Sequence, residues 1–422
     1  MNDRQISVLI INGPLPPPFG GVATYLAHAL PYLSKHGFII HTLIDHKPKD
    51  EKEYRDYENT GIHIHYGGGK KFLRLVSILK HMPLWITTYR KSKLGIKLFV
   101  LNLKSIVGWL DAAEKILKSN NIDIIHAYDY PWAQGFVAAY LSNKYNKKYV
   151  QTTFGELVPH KEELVHHDAF GERYKHFVKS VLRQSDLMIS LSEHCQREME
   201  FVDMPKDRVK VTYWGTDTNH FSTEISGDKI RSEYGLGDSP VVLFVGQVRL
   251  RKGPQVLVEA ASEVMKSFPA AKFLIVGPDY EIIERLKNRA KELKIVDNLF
   301  FPGGKSHAEL PQYYAACDAF VFPTCTPIEC LGLSMIQAMA CGKPVIGSRV
   351  NGIPEVIVDS STGFLVEPND PRELAEKICV VLGDRSLREQ MGKEARRRAF
   401  EHFNQDTLVV ELENLYRTLV KR

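Results

Sequence analysis

Three short stretches hold residues that could do chemistry, and each follows an apolar, strand-like run. The first is Gly20-Gly21, which comes after the run Ser7–Ile11 and the prolines of Pro14–Pro18 and opens a helical pattern near Ala23. Glycines there let backbone N–H groups approach an anion at the positive end of a helix, although a plain tight turn would use the same residues. The second is Gly246-Gln247-Val248-Arg249-Leu250-Arg251-Lys252-Gly253, with three cations in four residues. Fixed positive charge at a strand's carboxyl end suits an anion whose charge grows as a bond to phosphate breaks. A solvated basic loop is the plainer alternative. The third runs from Phe322-Pro323 through Glu329 to Gly332-Leu333-Ser334 and on to Gly342-Lys343-Pro344. Glu329 stands ahead of a helix start, where a carboxylate can steady the helix dipole or accept hydrogen bonds from sugar hydroxyls. Gln337 on that helix can both donate and accept.

The elements that must position these stretches are legible as alternating strand and helix patterns. Around the third stretch, Gly342 can cap a short helix, Pro344 forbids its continuation, and a second apolar strand follows from Pro344 to Ser348. A strand–loop–helix–strand unit of this kind belongs to a parallel sheet, with its loop at the carboxyl edge where helix N-termini collect anions. Further strands are expected at Ile39–Ile44, Ile122–His126, Lys148–Thr152 and Leu187–Leu191, then at Val241–Val245, Lys272–Val276, Leu299–Phe301 and Ala319–Phe322. Helices are expected at Ala23–Lys35, Leu110–Ser119, Ala133–Asn146, Gln255–Ser267 and Ile282–Leu293. Two successive βα arrays imply two doubly wound α/β domains. Glycines between Thr212 and Ser239 mark the boundary, giving domains 1–215 and 216–404, with an amphipathic C-terminal helix over 405–422 joined to the first.

Composition sets the class. The 422 residues suffice for about two cores, and the apolar share of 44% with 25% charged residues is that of an ordinary globular protein. A net charge of +5 does not suggest a nucleic-acid partner, and no nucleic-acid-binding motif is present. The six cysteines include no Cys-x-x-Cys pair, so neither a metal site nor a disulfide framework is expected. No Gly-x-Gly-x-x-Gly follows the first strand, which disfavours an NAD site. The run Ile6–Ile11 is too short for a signal peptide, and no apolar stretch reaches about 18 residues, so a reducing, cytoplasmic setting is the expectation.

Gly20-Gly21, Gly246 with Lys252-Gly253, Tyr213-Trp214-Gly215-Thr216-Asp217, Pro323 through Glu329, and Ala338-Met339-Ala340-Cys341-Gly342-Lys343-Pro344-Val345-Ile346 together resemble the retaining glycosyltransferases of the GT-B fold, the "group 1" family. The resemblance spans nearly the whole chain and is strongest in its second half. It implies two facing Rossmann-like, doubly wound domains with a cleft between them, and a nucleotide-sugar held mainly by the C-terminal one. It implies metal-independent transfer with retention at the anomeric carbon, and no cofactor, the nucleotide-sugar being a substrate. By the same analogy Gly21 lies near the phosphates with Gly20, and Lys252 neutralises the leaving diphosphate. Glu329 touches the donor sugar, the Gly332-Leu333 backbone the diphosphate, and the turn Gly303-Gly304-Lys305 the nucleobase. The acceptor is expected to be a lipid-linked or polysaccharide hydroxyl, in cell-envelope or exopolysaccharide synthesis.

Three departures from the family pattern stand out. Gln247 occupies a position where the family usually has Arg, a loss that Arg249 or Arg251 could offset. Gln337 stands for the second Glu of the family's Glu–seven–Glu pair, keeping hydrogen bonds to ribose but no charge. Phe154, in Thr152-Thr153-Phe154-Gly155-Glu156, stands where the family's His contacts the donor sugar's outer hydroxyl. An aromatic ring packs on an apolar edge but cannot bond a 6-hydroxyl, which points to a 6-deoxyhexose or pentose donor. Phe154, Glu156 and Asp129 form the acceptor-side expectation, and His126 could face the cleft. The same departures favour the rival reading of a degenerate subunit that binds without turnover; a nucleotide-sugar epimerase on this architecture is a further alternative.

One more segment invites a partner. Between Glu58 and Asp111 there is no acid, while nine Lys and Arg residues from Lys70 to Lys104 alternate with Phe72, Trp85, Phe99 and many aliphatics. That pattern suits a helix on an anionic membrane surface, and the one-sided charge favours this over an amphipathic helix packed on its own domain with a solvated basic face. His160, His166 and His167 lie in a polar stretch without metal-ligand spacing, expected as a loop.

Overall fold

The computed structural model describes residues 4–12, 21–44, 57–67, 96–128, 131–153, 176–326 and 329–421. The chain divides into two compact units, one of residues 1–212 with 409–422 and one of residues 213–408.

The first unit is built on a seven-stranded sheet: β1 (Ile6–Ile11), β2 (Phe38–Ile44), β3 (Ile62–Tyr66), β4 (Ile124–Tyr128), β5 (Lys148–Thr153), β6 (Leu187–Ser190) and β7 (Val209–Val211). Its order is β3-β2-β1-β4-β5-β6-β7, with every pairing parallel. All six residues of β1 are buried, as a strand covered by helices on both faces demands. The helix Ile96–Ser119 presses Trp109, Leu110, Ala113 and Leu117 onto Leu9 and Leu43. The chain runs outward from β1 to β3 and returns to β4 on the other side of β1, so the order reverses between β1 and β4.

The second unit repeats the scheme with β8 (Val241–Val245), β9 (Lys272–Val276), β10 (Leu299–Gly303), β11 (Ala319–Phe322), β12 (Val345–Ser348) and β13 (Gly363–Val366), in the parallel order β10-β9-β8-β11-β12-β13. Phe244, Phe273, Val321 and Ile346 of the sheet pack against Leu257 and Val264 of the helix Pro254–Ser267 and Ile378 and Val381 of the helix Pro371–Gly383. Here the order reverses between β8 and β11. In doubly wound sheets, ligands bind outside the carboxyl ends of the strands at such a reversal.

Several elements differ from the sequence-based expectation, each for a local reason. β4 begins at Ile124 rather than Ile122, and Asp123 just before it is tied down through its carboxylate, which accepts from Arg4 at 2.6 Å and from the Ser7 backbone N–H at 3.0 Å. The helix expected from Leu110 starts at Ile96, and the one expected from Ala133 is preceded by a π-helical turn, Pro131–Gly135. β12 starts at Val345, since Pro344 has no N–H to give the ladder. β3, β7 and β13 were not anticipated. β3 reads Ile-His-Ile-His-Tyr at a sheet edge, and β7 and β13 are three and four residues long.

The C-terminal helix spans Gln405–Lys421. Asn404, just before it, bridges to Thr216, with Thr216 N–H donating to Phe403 O at 2.9 Å and Gln405 N–H to Thr216 O at 3.0 Å. Further along, Arg417 donates to His36 O at 2.9 Å in the first unit. Among the described residues no helix is long and apolar enough to cross a membrane.

Candidate functional site

The reversal in the second sheet brings two loops together: the one after β8, Gly246–Gly253, and the one after β11, beginning at Pro323. Lys252 Nζ on the first donates to Glu329 Oε2 on the second. The two side chains are only 14% and 16% exposed, and the ammonium also lies 5.3 Å from the centre of the Phe322 ring. Gly253 explains the close approach of the loops. Its φ is +78°, and a Cβ there would lie 1.7 Å from the carbonyl oxygen of Pro323. Hydrogen bonds add to the seam. Arg251 O accepts from Thr324 Oγ1 and from Cys325 N–H, both at 2.9 Å, while Gln255 Nε2 donates to Leu250 O at 2.9 Å and meets Cys325 Sγ at 3.2 Å.

Beside this pair starts the helix Leu333–Ala340. Its N-cap is Gly332, with φ +75°, and no side chain caps it. The first N–H groups of a helix have no partner within it, so this end offers donors and a partial positive charge to an anion. Gln337 lies one turn in, 5% exposed, its Oε1 accepting from the Tyr314 hydroxyl at 2.9 Å. Burial pushes the Tyr314 hydroxyl well above its usual pKa, so it stays a donor. That leaves the Gln337 amide nitrogen as the group able to meet a ligand.

The neighbouring cations divide. Arg249 stacks on the Tyr280 ring at 3.9 Å. Arg251 has its Nε buried and, among the described residues, without a hydrogen-bond partner. Gly303 closes β10, its carbonyl accepting from Gly277 N–H at 3.0 Å, and Lys305 lies 5.7 Å over the Tyr313 ring. Close by in sequence, His307 stacks on His220 at 4.9 Å, and burial lowers its pKa. Tyr213 donates to Glu355 at 3.2 Å. Tyr314 and Phe322, both in apolar runs, gave no sequence signal beyond core aromatics. Only their position beneath Gln337 and Lys252 marks them.

In the first unit, Gly21 is the first residue of the helix Gly21–Lys35. Gly20, Asp129, Phe154, Glu156, His160, His166 and His167 lie outside the described residues, as does the basic segment up to residue 95; Ile96 onward opens the long helix Ile96–Ser119. His126 is a correction. It is fully buried rather than open to solvent, with Nδ1 2.5 Å from the Tyr416 hydroxyl of the C-terminal helix and Nε2 2.7 Å from Thr152 Oγ1. Burial holds its pKa far below the usual imidazole range, so the neutral ring accepts at one nitrogen and donates at the other. Asn12, at the carboxyl end of β1, is fully buried, with both polar side-chain atoms unpartnered among the described residues.

Residues 226–398 match the family described as glycosyl transferases group 1, and residues 19–220 match glycosyltransferase family 4. An uncharacterised glycosyltransferase of Methanocaldococcus jannaschii is 29% identical over 72% of this chain and 78% of its own length. The N-acetyl-alpha-D-glucosaminyl L-malate synthase of Bacillus anthracis is 28% identical over 72% of this chain and 76% of its own. Among solved structures, sucrose-phosphate synthase of Thermosynechococcus elongatus superposes with a TM-score of 0.78 at 22% identity, covering 98% of this chain and 99% of that one. Anabaena HepE, solved with UDP, superposes with a TM-score of 0.76 at 20% identity, covering 98% and 100%. These likenesses show the fold, GT-B.

Proposed function

From the match of residues 226–398 to the glycosyl transferases group 1 and of residues 19–220 to glycosyltransferase family 4, we propose a retaining, metal-independent transfer of a sugar from a nucleotide-diphosphate-sugar to an acceptor hydroxyl. The observation that carries this reading is the pairing of Lys252 with Glu329 at the reversal of the second sheet, beside an uncapped helix N-terminus. A diphosphate there would meet the Lys252 ammonium and the N–H groups after Gly332, with the Arg251 guanidinium close at hand. Glu329 would accept hydrogen bonds from the sugar's hydroxyls, and the Gln337 amide would donate to the ribose. The bond between the anomeric carbon and the diphosphate oxygen breaks with its electron pair going to that oxygen. The acceptor oxygen forms its new bond on the same face, and its proton passes to the departing diphosphate. Charge grows on the diphosphate as this happens, and a preplaced ammonium in a water-poor site stabilises it.

We place the acceptor among lipid-linked or polysaccharide hydroxyls, with the basic segment 70–104 holding the enzyme to an anionic membrane surface in the cytoplasm. Co-sedimentation with anionic but not neutral vesicles tests that placement, and equal recovery with both would refute it. A catalytically idle binding subunit is the second reading, favoured by Gln247 and by the prior engagement of the Gln337 carbonyl with Tyr314. A thermal-shift screen against UDP, GDP, ADP and TDP, then their sugars, separates the readings. One nucleotide should stabilise the protein, its sugar conjugate should release free nucleotide when acceptor is added, and Lys252→Met should abolish both. Binding without release supports the idle subunit, and no stabilisation by any of them refutes both readings.

A further inference from the structure

The two groups assigned to chemistry satisfy one another: the Lys252 ammonium is held by the carboxylate of Glu329. We propose that this ion pair makes Glu329 a specificity-determining residue that separates the intact nucleotide-sugar from the free nucleoside diphosphate left after transfer. The inference rests on the donor-site reading above and deepens it.

Both side chains are mostly withdrawn from water, at 14% and 16% exposure, so neither charge can be left without a partner cheaply. The two loops that carry the pair are joined close to Lys252. Gly253 sits against Pro323 O, and Arg251 O is held by Thr324 and Cys325. Phe322 lies beneath the ammonium and supplies a π face, but no acceptor to replace the carboxylate. A diphosphate that binds Lys252 must therefore share the ammonium with Glu329 and place further negative charge next to that carboxylate.

What the ligand returns to Glu329 then decides the affinity. A nucleoside diphosphate ends in phosphate oxygens, which accept, so the carboxylate divides the ammonium with an anion and gains no donor in return. A nucleotide-sugar carries hydroxyls beyond the diphosphate, and these donate to Glu329. The exchange of partners balances for the donor and not for the product. Once the sugar has moved to the acceptor its hydroxyls leave with it, Glu329 reclaims Lys252, and the nucleoside diphosphate is displaced. The same ion pair thus guards the site before the reaction and clears it afterwards.

The test is calorimetric titration of the stabilising nucleoside diphosphate and of its sugar conjugate into wild type, Glu329→Gln and Lys252→Met. Hydrogen bonds to charged groups are worth about 1.5–3 kcal/mol, roughly 10- to 100-fold in affinity. Glu329→Gln should therefore bind the nucleoside diphosphate at least about 10-fold more tightly than wild type while binding the nucleotide-sugar no more tightly. Equal fold-changes for the two ligands, or weaker nucleoside diphosphate binding, would overturn the inference while leaving the donor site standing. Lys252→Met binding both ligands like wild type would overturn the donor site itself. Should Glu329→Gln fail to fold, product inhibition of the wild-type enzyme decides. An inhibition constant well above the KM for the donor supports the inference, and one at or below KM ends it.

Discussion

Gly253→Ala is the sharpest test of how the site is held. The new methyl would lie 1.7 Å from the Pro323 carbonyl oxygen and 2.6 Å from its carbon. Carbon and oxygen in the closest ordinary contact are about 3.3 Å apart, so one loop must retreat by roughly 1.5 Å. Retreat breaks the two hydrogen bonds to Arg251 O, at about 1 kcal/mol each. It also carries Lys252 away from Glu329, and a misplacement of about 1 Å at a reacting centre can cost about 100-fold in rate. The φ of +78° adds a further cost of roughly 1–2 kcal/mol for any residue with a Cβ. Gly235→Ala is the matched control, because its φ is +59° but nothing lies within 4 Å of the new methyl. It should cost only that backbone term, a fall in Tm of about 2–8 °C, and leave nucleotide release untouched. Gly253→Ala should lower Tm further and reduce nucleotide release by about 100-fold. Equal losses from the two substitutions, or a fully active Gly253→Ala enzyme, would show that the Pro323 contact does not position Lys252.

Tyr416→Phe removes the hydroxyl beside His126 and leaves a fully buried ring nitrogen unpaired. A loss of about 1–3 kcal/mol in urea unfolding is expected, and an unchanged midpoint would refute that anchoring role. Acid should destabilise the first unit. Burial lowers the pKa of His126, and burial together with His63 and His65 lowers His41 to about 4. The unfolded chain therefore takes up protons first as pH falls through about 6.5. Stability is complete above that pH and drops below it by up to about 1.4 kcal/mol per unit for each histidine. A urea midpoint equal at pH 7.5 and pH 5 would contradict this. Phe154→His should shift preference from a 6-deoxyhexose or pentose donor toward the 6-hydroxylated hexose, measured as a ratio of kcat/KM. A wild-type enzyme already preferring the hexose would defeat the premise.

The fold was legible wherever strands are buried on both faces. Val241–Val245 and Lys272–Val276 read as apolar runs because helices cover both sides of a parallel sheet, and both span the residues expected. β3 escaped notice because it forms an edge, where His63 and His65 alternate with Ile62 and Ile64 and the hydrophobic signal halves. The π-helical turn at Pro131–Gly135 escaped for another reason: a widened turn differs from an α-turn by one hydrogen bond and leaves the same apolar pattern.

The site was legible as residues but not as a geometry. Lys252 and Glu329 lie 77 positions apart, and spacing along the chain says nothing about their meeting. Their pairing depends on β11 lying next to β8 rather than beyond β10, and a run of alternating strands and helices is compatible with either order. The same holds for Gln337, whose carbonyl is claimed by a tyrosine 23 positions away, and for His126, claimed by a tyrosine 290 positions away. In each case a polar group that looks available in sequence is satisfied by a partner that only the folded chain supplies. The difference matters for chemistry. His126 lost both nitrogens to structural bonds and left the list of candidates. Gln337 has its carbonyl engaged by Tyr314, so on the proposed reading its amide nitrogen is the part that would serve as a donor. Lys252 and Glu329, by contrast, are paired with each other among the described residues. On the reading proposed above, a ligand with a diphosphate at one end and hydroxyls at the other would engage both groups at once, so the pair would close the site to simpler anions and leave it open to a nucleotide-sugar.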